Sequence, residues 1–179
     1  STYINLRWIA ITGQLTTINL VYFIFNFNFN FIMANMIILI GSFSNLYLIY
    51  INQKTQLADK TAFTFLLIDI LQLSGLIYLT GGITNPFTIF LILPTIFSSA
   101  YLGFRTNLLL VLITALAIIL LTFFMYPLPY PLNEHYHVSS YYYYSIPISL
   151  IIALVFLNYF ALTFGTESRL KKEALNKME

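Results

Sequence analysis

Asp69 is an acidic residue set well inside a long apolar run, Leu66-Leu-Ile-Asp-Ile-Leu-Gln-Leu73. An ionisable group in hydrocarbon is costly, so it is expected to face a partner or a functional interior. At 1.5 Å of helix rise per residue, Asp69 lies ~13 Å beyond Lys60. Gln14 reaches a similar depth from Arg7, and Gln72 is one turn beyond Asp69. The three residues are expected to form one interior polar cluster, with Asp69 held as a neutral carboxyl. As pure structure, such a cluster is a clamp between helices. As chemistry, it offers a proton-linked or conformational role.

A second candidate is the stretch Leu79-Thr-Gly-Gly-Ile-Thr-Asn-Pro-Phe87. Gly81 can end one helix in a left-handed conformation. Asn85 can cap the next, with Pro86 at its first position, where no amide hydrogen is missed. Helix punctuation therefore explains the motif on its own. The same residues also suit a quinone, whose carbonyl oxygens want donors and whose flat ring wants apolar packing. A helix N-terminus offers free amides and a positive dipole end. Phe87 and Tyr78 could bracket a ring, Thr88 would support it, and Gly81 and Gly82 would let it approach the backbone. Gly82 is thirteen residues beyond Asp69, about 20 Å of helix, so one head group is not expected to touch both. Glu134, His135 and His137 sit together in a proline-rich stretch, but two imidazoles and one carboxylate are a thin ligand set. No metal is expected.

These residues need elements to hold them, and composition says which. Hydrophobic residues make up 59% of the 179-residue chain and charged residues 8%, where a soluble domain carries about 25% charge. Mean hydropathy is +0.83. The chain reads as an all-α membrane protein, which leaves little room for a soluble catalytic domain, and no nucleic-acid partner is expected. Cysteine is absent, which excludes thiol chemistry within the chain. No small-residue cleavage pattern follows the first apolar run, so it does not read as a removable signal peptide.

Apolar runs place six transmembrane helices near 7–25, 32–52, 61–80, 86–103, 106–126 and 144–164. Together they make one six-helix unit over 1–166. Arg7, Lys54, Lys60, Arg105, Arg169, Lys171, Lys172 and Lys177 then all fall on one side. Positive charge marks the cytoplasmic side, which puts both termini inside and the Gly81–Phe87 turn outside. The alternating Phe and Asn of Phe23–Phe31 read as an aromatic interfacial turn, and Tyr141–Tyr144 and Trp8 as interfacial anchors. Pro94 and Pro147 predict kinks within the fourth and sixth crossings.

Residues 167–179 change character and read as the start of a cytoplasmic signalling helix. Glu167 precedes Lys171, and Glu173 precedes Lys177, by four residues each, an order that supports a helix. Leu170, Ala174 and Met178 recur on one face with Leu175 beside it, suited to a dimeric coiled coil or to a solvated anchor helix. The helix stops without a capping glycine, which suggests that it continues into something longer.

The stretch Gly-Gly-x-x-Asn-Pro-Phe resembles the heptapeptide of the RegB/PrrB/ActS redox-responsive sensor histidine kinases. Asn5-Leu-Arg-Trp-Ile-Ala-Ile-Thr-Gly-Gln14 and Asp69-Ile-Leu-Gln-Leu73 match that family as well, in order, across the whole chain. The resemblance implies a membrane sensor domain that binds ubiquinone through Gly81, Gly82, Asn85, Pro86 and Phe87. It also implies a homodimer in the bacterial inner membrane, working on a response regulator through a kinase core. A histidine box and an ATP-binding domain are absent from these residues, so the chain itself is expected not to be an enzyme. A small transporter or permease subunit, or a structural anchor and dimerisation domain, are the competing readings.

Overall fold

The structure is a computed structural model that describes residues 2–51, 59–129 and 139–176. Helices run α1 (Thr2–Phe23), α2 (Phe31–Ile51), α3 (Asp59–Leu79), α4 (Leu93–Tyr101), α5 (Phe104–Phe123) and α6 (Ser140–Asn176). Between α3 and α4 lie two 3-10 segments, Gly82–Thr84 and Pro86–Ile92. The all-α membrane architecture expected from hydropathy is the one observed. Helices α2, α3, α5 and the first 28 residues of α6 are each long and apolar enough to cross a bilayer. Helix α1 is less apolar because Asn5, Arg7, Gln14 and Asn19 interrupt it. Its Arg7 points into the bundle, where it is buried.

The fourth segment differs from its expectation in a way that geometry explains. Residues 86–92 wind as 3-10 helix, and Pro94 falls at the start of α4. A proline in a first turn forfeits no internal bond, so Pro94 begins a helix and does not kink one. The 3-10 winding rises ~2.0 Å per residue against ~1.5 Å for the α form. The 16 apolar residues Pro86–Tyr101 thus reach roughly 28 Å, close to the thickness of the hydrocarbon. Pro147 does lie within a helix, α6. That helix continues through Asn176, well past its apolar stretch. Lys171, Lys172, Glu173 and Leu175 have side chains outside the description, as does the whole of Lys177 and Met178.

Helix α2 packs on α1 and α3, and α4, α5 and α6 pack on one another. Helix α3 joins the two groups through its contacts with α4, α5 and the 3-10 segment. An apolar core centred on Ile77, Leu91, Ile118 and Leu154 knits α3, the second 3-10 segment, α5 and α6 together. Beside it, lipid-depth packing buries a polar knot. Asn107 of α5 donates to the Thr95 carbonyl at 2.9 Å, to Ser98 Oγ, and to Asn158 Oδ1 at 3.4 Å. Asn158 of α6 donates in turn to Thr95 Oγ1 at 2.8 Å. With no water in hydrocarbon, such groups must satisfy one another. Replacing Asn158 with Leu should therefore lower stability by about 1–2 kcal/mol, read as an earlier thermal transition in detergent. An unchanged transition would mean that the knot contributes nothing to helix association.

Candidate functional site

The turn after α3 is built by its two glycines and by Asn85. Gly81 has φ 111° and Gly82 φ 53°, a left-handed backbone that favours glycine. Both are buried against the chain that follows α5. A Cβ on Gly81 would meet the Leu128 backbone, and one on Gly82 would meet Met125 and the Leu121 carbonyl. The glycines thus admit the 125–128 segment where a ligand ring had been expected. Asn85 is the hub of the turn. Its Nδ2 donates to Thr80 O at 3.0 Å and to Thr80 Oγ1 at 2.7 Å, while its Oδ1 accepts from Phe87 N at 2.8 Å. Thr88 Oγ1 donates to the Gly82 and Asn85 carbonyls at 3.0 and 2.6 Å. Pro86 is exposed and opens the 3-10 segment. The side chain of Asn85 is therefore consumed as a cap.

Phe87 is 46% exposed, and its ring stacks on Phe90 with centroids 5.9 Å apart and planes 17° from parallel. Tyr78 is not brought beside it. Instead, Tyr78 meets Tyr126 edge-on at 5.2 Å and accepts the Tyr126 amide on its carbonyl. Phe87 and Phe90 form the outer lip of a cavity of about 520 Å³ lined by α1, α3, the 3-10 segment and α4. That volume lies within the range of small-molecule sites, about 300–1,000 Å³. Its lining residues Ile9, Gly13, Phe87, Phe90 and Leu93 are exposed on the apolar face of the bundle, so the cavity opens sideways. Asn85 and Asp69 both line it, which joins the two candidate regions through one space.

At its inner end Asp69 meets Arg7, and not the glutamines. Arg7 Nη2 and Nε lie 2.7 and 2.9 Å from Asp69 Oδ1. Tyr3 Oη donates to Asp69 Oδ2 at 2.6 Å. Arg7 also reaches α2, donating to Ser44 Oγ at 2.7 Å and Asn45 Oδ1 at 3.2 Å. Its guanidinium lies 5.2 Å from the Phe65 ring centre, a cation–π contact. The partner of Asp69 is thus a guanidinium and not the two amides, and the contact ties α1, α2 and α3. Gln14 and Gln72 pair with each other, Gln72 Nε2 donating to Gln14 Oε1 at 2.9 Å. The expected trio lines one cavity from α1 and α3, in two bonded groups. Sequence reasoning missed Arg7 because an arginine near a helix start reads as a positive charge on the cytoplasmic side. The signal was its place in the same match that contains Gln14. Glu134, His135 and His137 lie outside the described residues.

Residues 3–175 match the family model of the PilS-like transmembrane domain, a six-helix unit. The chain belongs to that family. It is also similar to the sensor histidine kinase RegB of Cereibacter sphaeroides, 30% identical over 178 residues. The match covers 97% of this chain and 38% of that relative, so the chain spans well under half of RegB's length. The resemblance to RegB-type sensor regions read from the three motifs is borne out. No solved structure matches the chain.

Removing one partner of a buried ion pair strands the other charge, at about 3–5 kcal/mol. Arg7→Leu should destabilise the chain by that order in a denaturant titration in mixed micelles. The double variant Arg7→Leu/Asp69→Leu should recover most of the loss. A double variant as unstable as the single one would show that the pair is not the source of the cost.

Proposed function

We propose that this chain is the membrane sensor region of a histidine kinase, and that it binds ubiquinone in the sideways-opening cavity behind the Gly81–Phe87 turn. Kinase parentage is supported by the similarity to RegB across nearly the whole chain. The observation that carries ligand binding is the cavity itself. It is bounded by the Gly-Gly-x-x-Asn-Pro-Phe turn, walled by apolar side chains, and open where a lipid-borne molecule travels. A quinone ring would lie against the Phe87–Phe90 lip or deeper, with its isoprenoid tail left in lipid. A small transporter would want a continuous polar path, whereas Arg7, Asp69, Thr80, Asn85 and Asn158 are bonded within the protein.

Lys54, Lys60, Arg105 and the basic residues after Gly165 support cytoplasmic termini by the positive-inside rule. Arg7, spent in the ion pair, adds nothing to that count. In this arrangement the protein is a homodimer of a bacterial inner membrane, and α6 leads to a kinase core acting on a response regulator. Occupancy of the cavity would bear on α4, which lines it through Leu93, Pro94 and Phe97. From α4 the Thr95–Asn158 hydrogen bond is the direct link to α6. Signalling requires the oxidised and reduced ligands to favour different helix arrangements, since equal affinity for both shifts nothing.

Titration of the chain in nanodiscs with a short-chain ubiquinone, read by quenching of its single tryptophan, Trp8, tests this reading. Phe87→Ala should weaken binding roughly two- to ten-fold, the worth of an aromatic contact. Asn85→Ala, which undoes the cap, should weaken it at least as much. Unaltered affinity in both variants would contradict the site.

A further inference from the structure

The polar atoms bordering the cavity are not equally available. At the outer turn, Asn85 has given both amide hydrogens to Thr80 and its oxygen to Phe87. Thr80 has given its hydroxyl hydrogen to the Leu76 carbonyl. At the innermost end, Arg7, Asp69 and Tyr3 are committed to one another and to α2. Between these ends lies the amide pair of Gln14 and Gln72. Their one mutual bond leaves both Gln14 amide hydrogens, the second Gln72 amide hydrogen and the Gln72 carbonyl without a protein partner among the described residues. Thr17 also lines the cavity, its hydroxyl without a hydrogen-bond partner among the described residues, three residues beyond Gln14 and so on the same face, roughly 4.5 Å further along.

An amide at lipid depth that keeps one donor and one acceptor unused is costly unless something meets them. A glutamine pair is also adaptable, because each side chain carries both kinds of group. It can donate to a quinone carbonyl or accept from a quinol hydroxyl. The cavity is longer than a single ring, since Gln72 and Thr80 on its wall are eight residues apart, about 12 Å of helix. A ring seated at the amides would run its first isoprenoid units past Phe87 and Phe90 on the way to lipid.

We propose that the Gln14–Gln72 pair, with Thr17 beside it, is the head-group subsite for a quinone or quinol. The Gly81–Phe87 turn then forms the gateway over the tail and does not hold the ring oxygens. This rests on the quinone reading above and adds where the oxygens are held. Gly41 belongs to the subsite indirectly. A Cβ there would collide with the amide end of Gln72, so Gly41 fixes where that amide sits.

The test is a titration of the nanodisc-embedded chain with a short-chain ubiquinone and, separately, with its quinol. The double variant Gln14→Met/Gln72→Met keeps the length of both side chains and removes both amides. It should bind each redox form roughly ten-fold more weakly or worse, with its thermal transition close to that of the parent chain. Gly41→Ala, which displaces the Gln72 amide without changing either glutamine, should weaken binding in the same direction. It decides the matter if the double variant does not fold. Parent-like affinity in a folded double variant, or in Gly41→Ala should that be the only folded one, would overturn the subsite while leaving quinone binding in place. Absence of binding to the parent chain would overturn both.

Discussion

In hydrocarbon a buried polar group has only protein to bond with, and the arrangement of this bundle follows from how its polar side chains find partners. Arg7 draws together α1, α2 and α3 through Asp69, Ser44 and Asn45. Asn107 and Asn158 draw together α4, α5 and α6 through Thr95 and Ser98. Apolar packing alone discriminates poorly between helix faces when lipid is as apolar as leucine. The two knots supply that discrimination. Helix α3 bridges the groups, and the cavity lies in the seam that the knots leave between α1 and α4.

The turn between α3 and the fourth segment shows how a short motif can close a chain reversal and shape a cavity mouth at once. Gly81 and Gly82 are needed because the 125–128 segment lies against them and because their backbone is left-handed. Asn85 is needed because it closes the turn onto Thr80 and starts the 3-10 segment. Only after those tasks does Phe87 reach the cavity lip. The stretched 3-10 winding then lengthens a 16-residue apolar segment, whose Pro94 and Phe97 lie on the cavity wall.

Much of this was legible in the sequence. Run lengths and the break residues gave the helices, and the Asn85-Pro86 pair gave the start of the fourth segment. The depth count brought Gln14, Asp69 and Gln72 to one cavity. What escaped were partners decided by three-dimensional register. Arg7 and Asp69 are far apart in sequence, and an arginine near a terminus has an ordinary explanation at the membrane surface. Asn107 and Asn158 look like isolated polar interruptions until α5 and α6 pack. Tyr78 points toward Tyr126 because of the helical phase at the end of α3. The 3-10 winding was invisible because composition does not separate it from α-helix. Length was the clue, since 16 residues of α-helix fall short of the hydrocarbon thickness.

The central claim is that a lipid-borne quinone enters the seam between α1 and the fourth segment. Photolabelling in proteoliposomes with a ubiquinone analogue carrying a photoreactive group on its ring tests it most directly, with labelled peptides identified by mass spectrometry. The account predicts adducts on α1 between Ile9 and Ile18 and on residues 72–97 of the facing wall, suppressed by excess unlabelled quinone. Competable labelling confined to the outward faces of α2, α5 or α6 would contradict it.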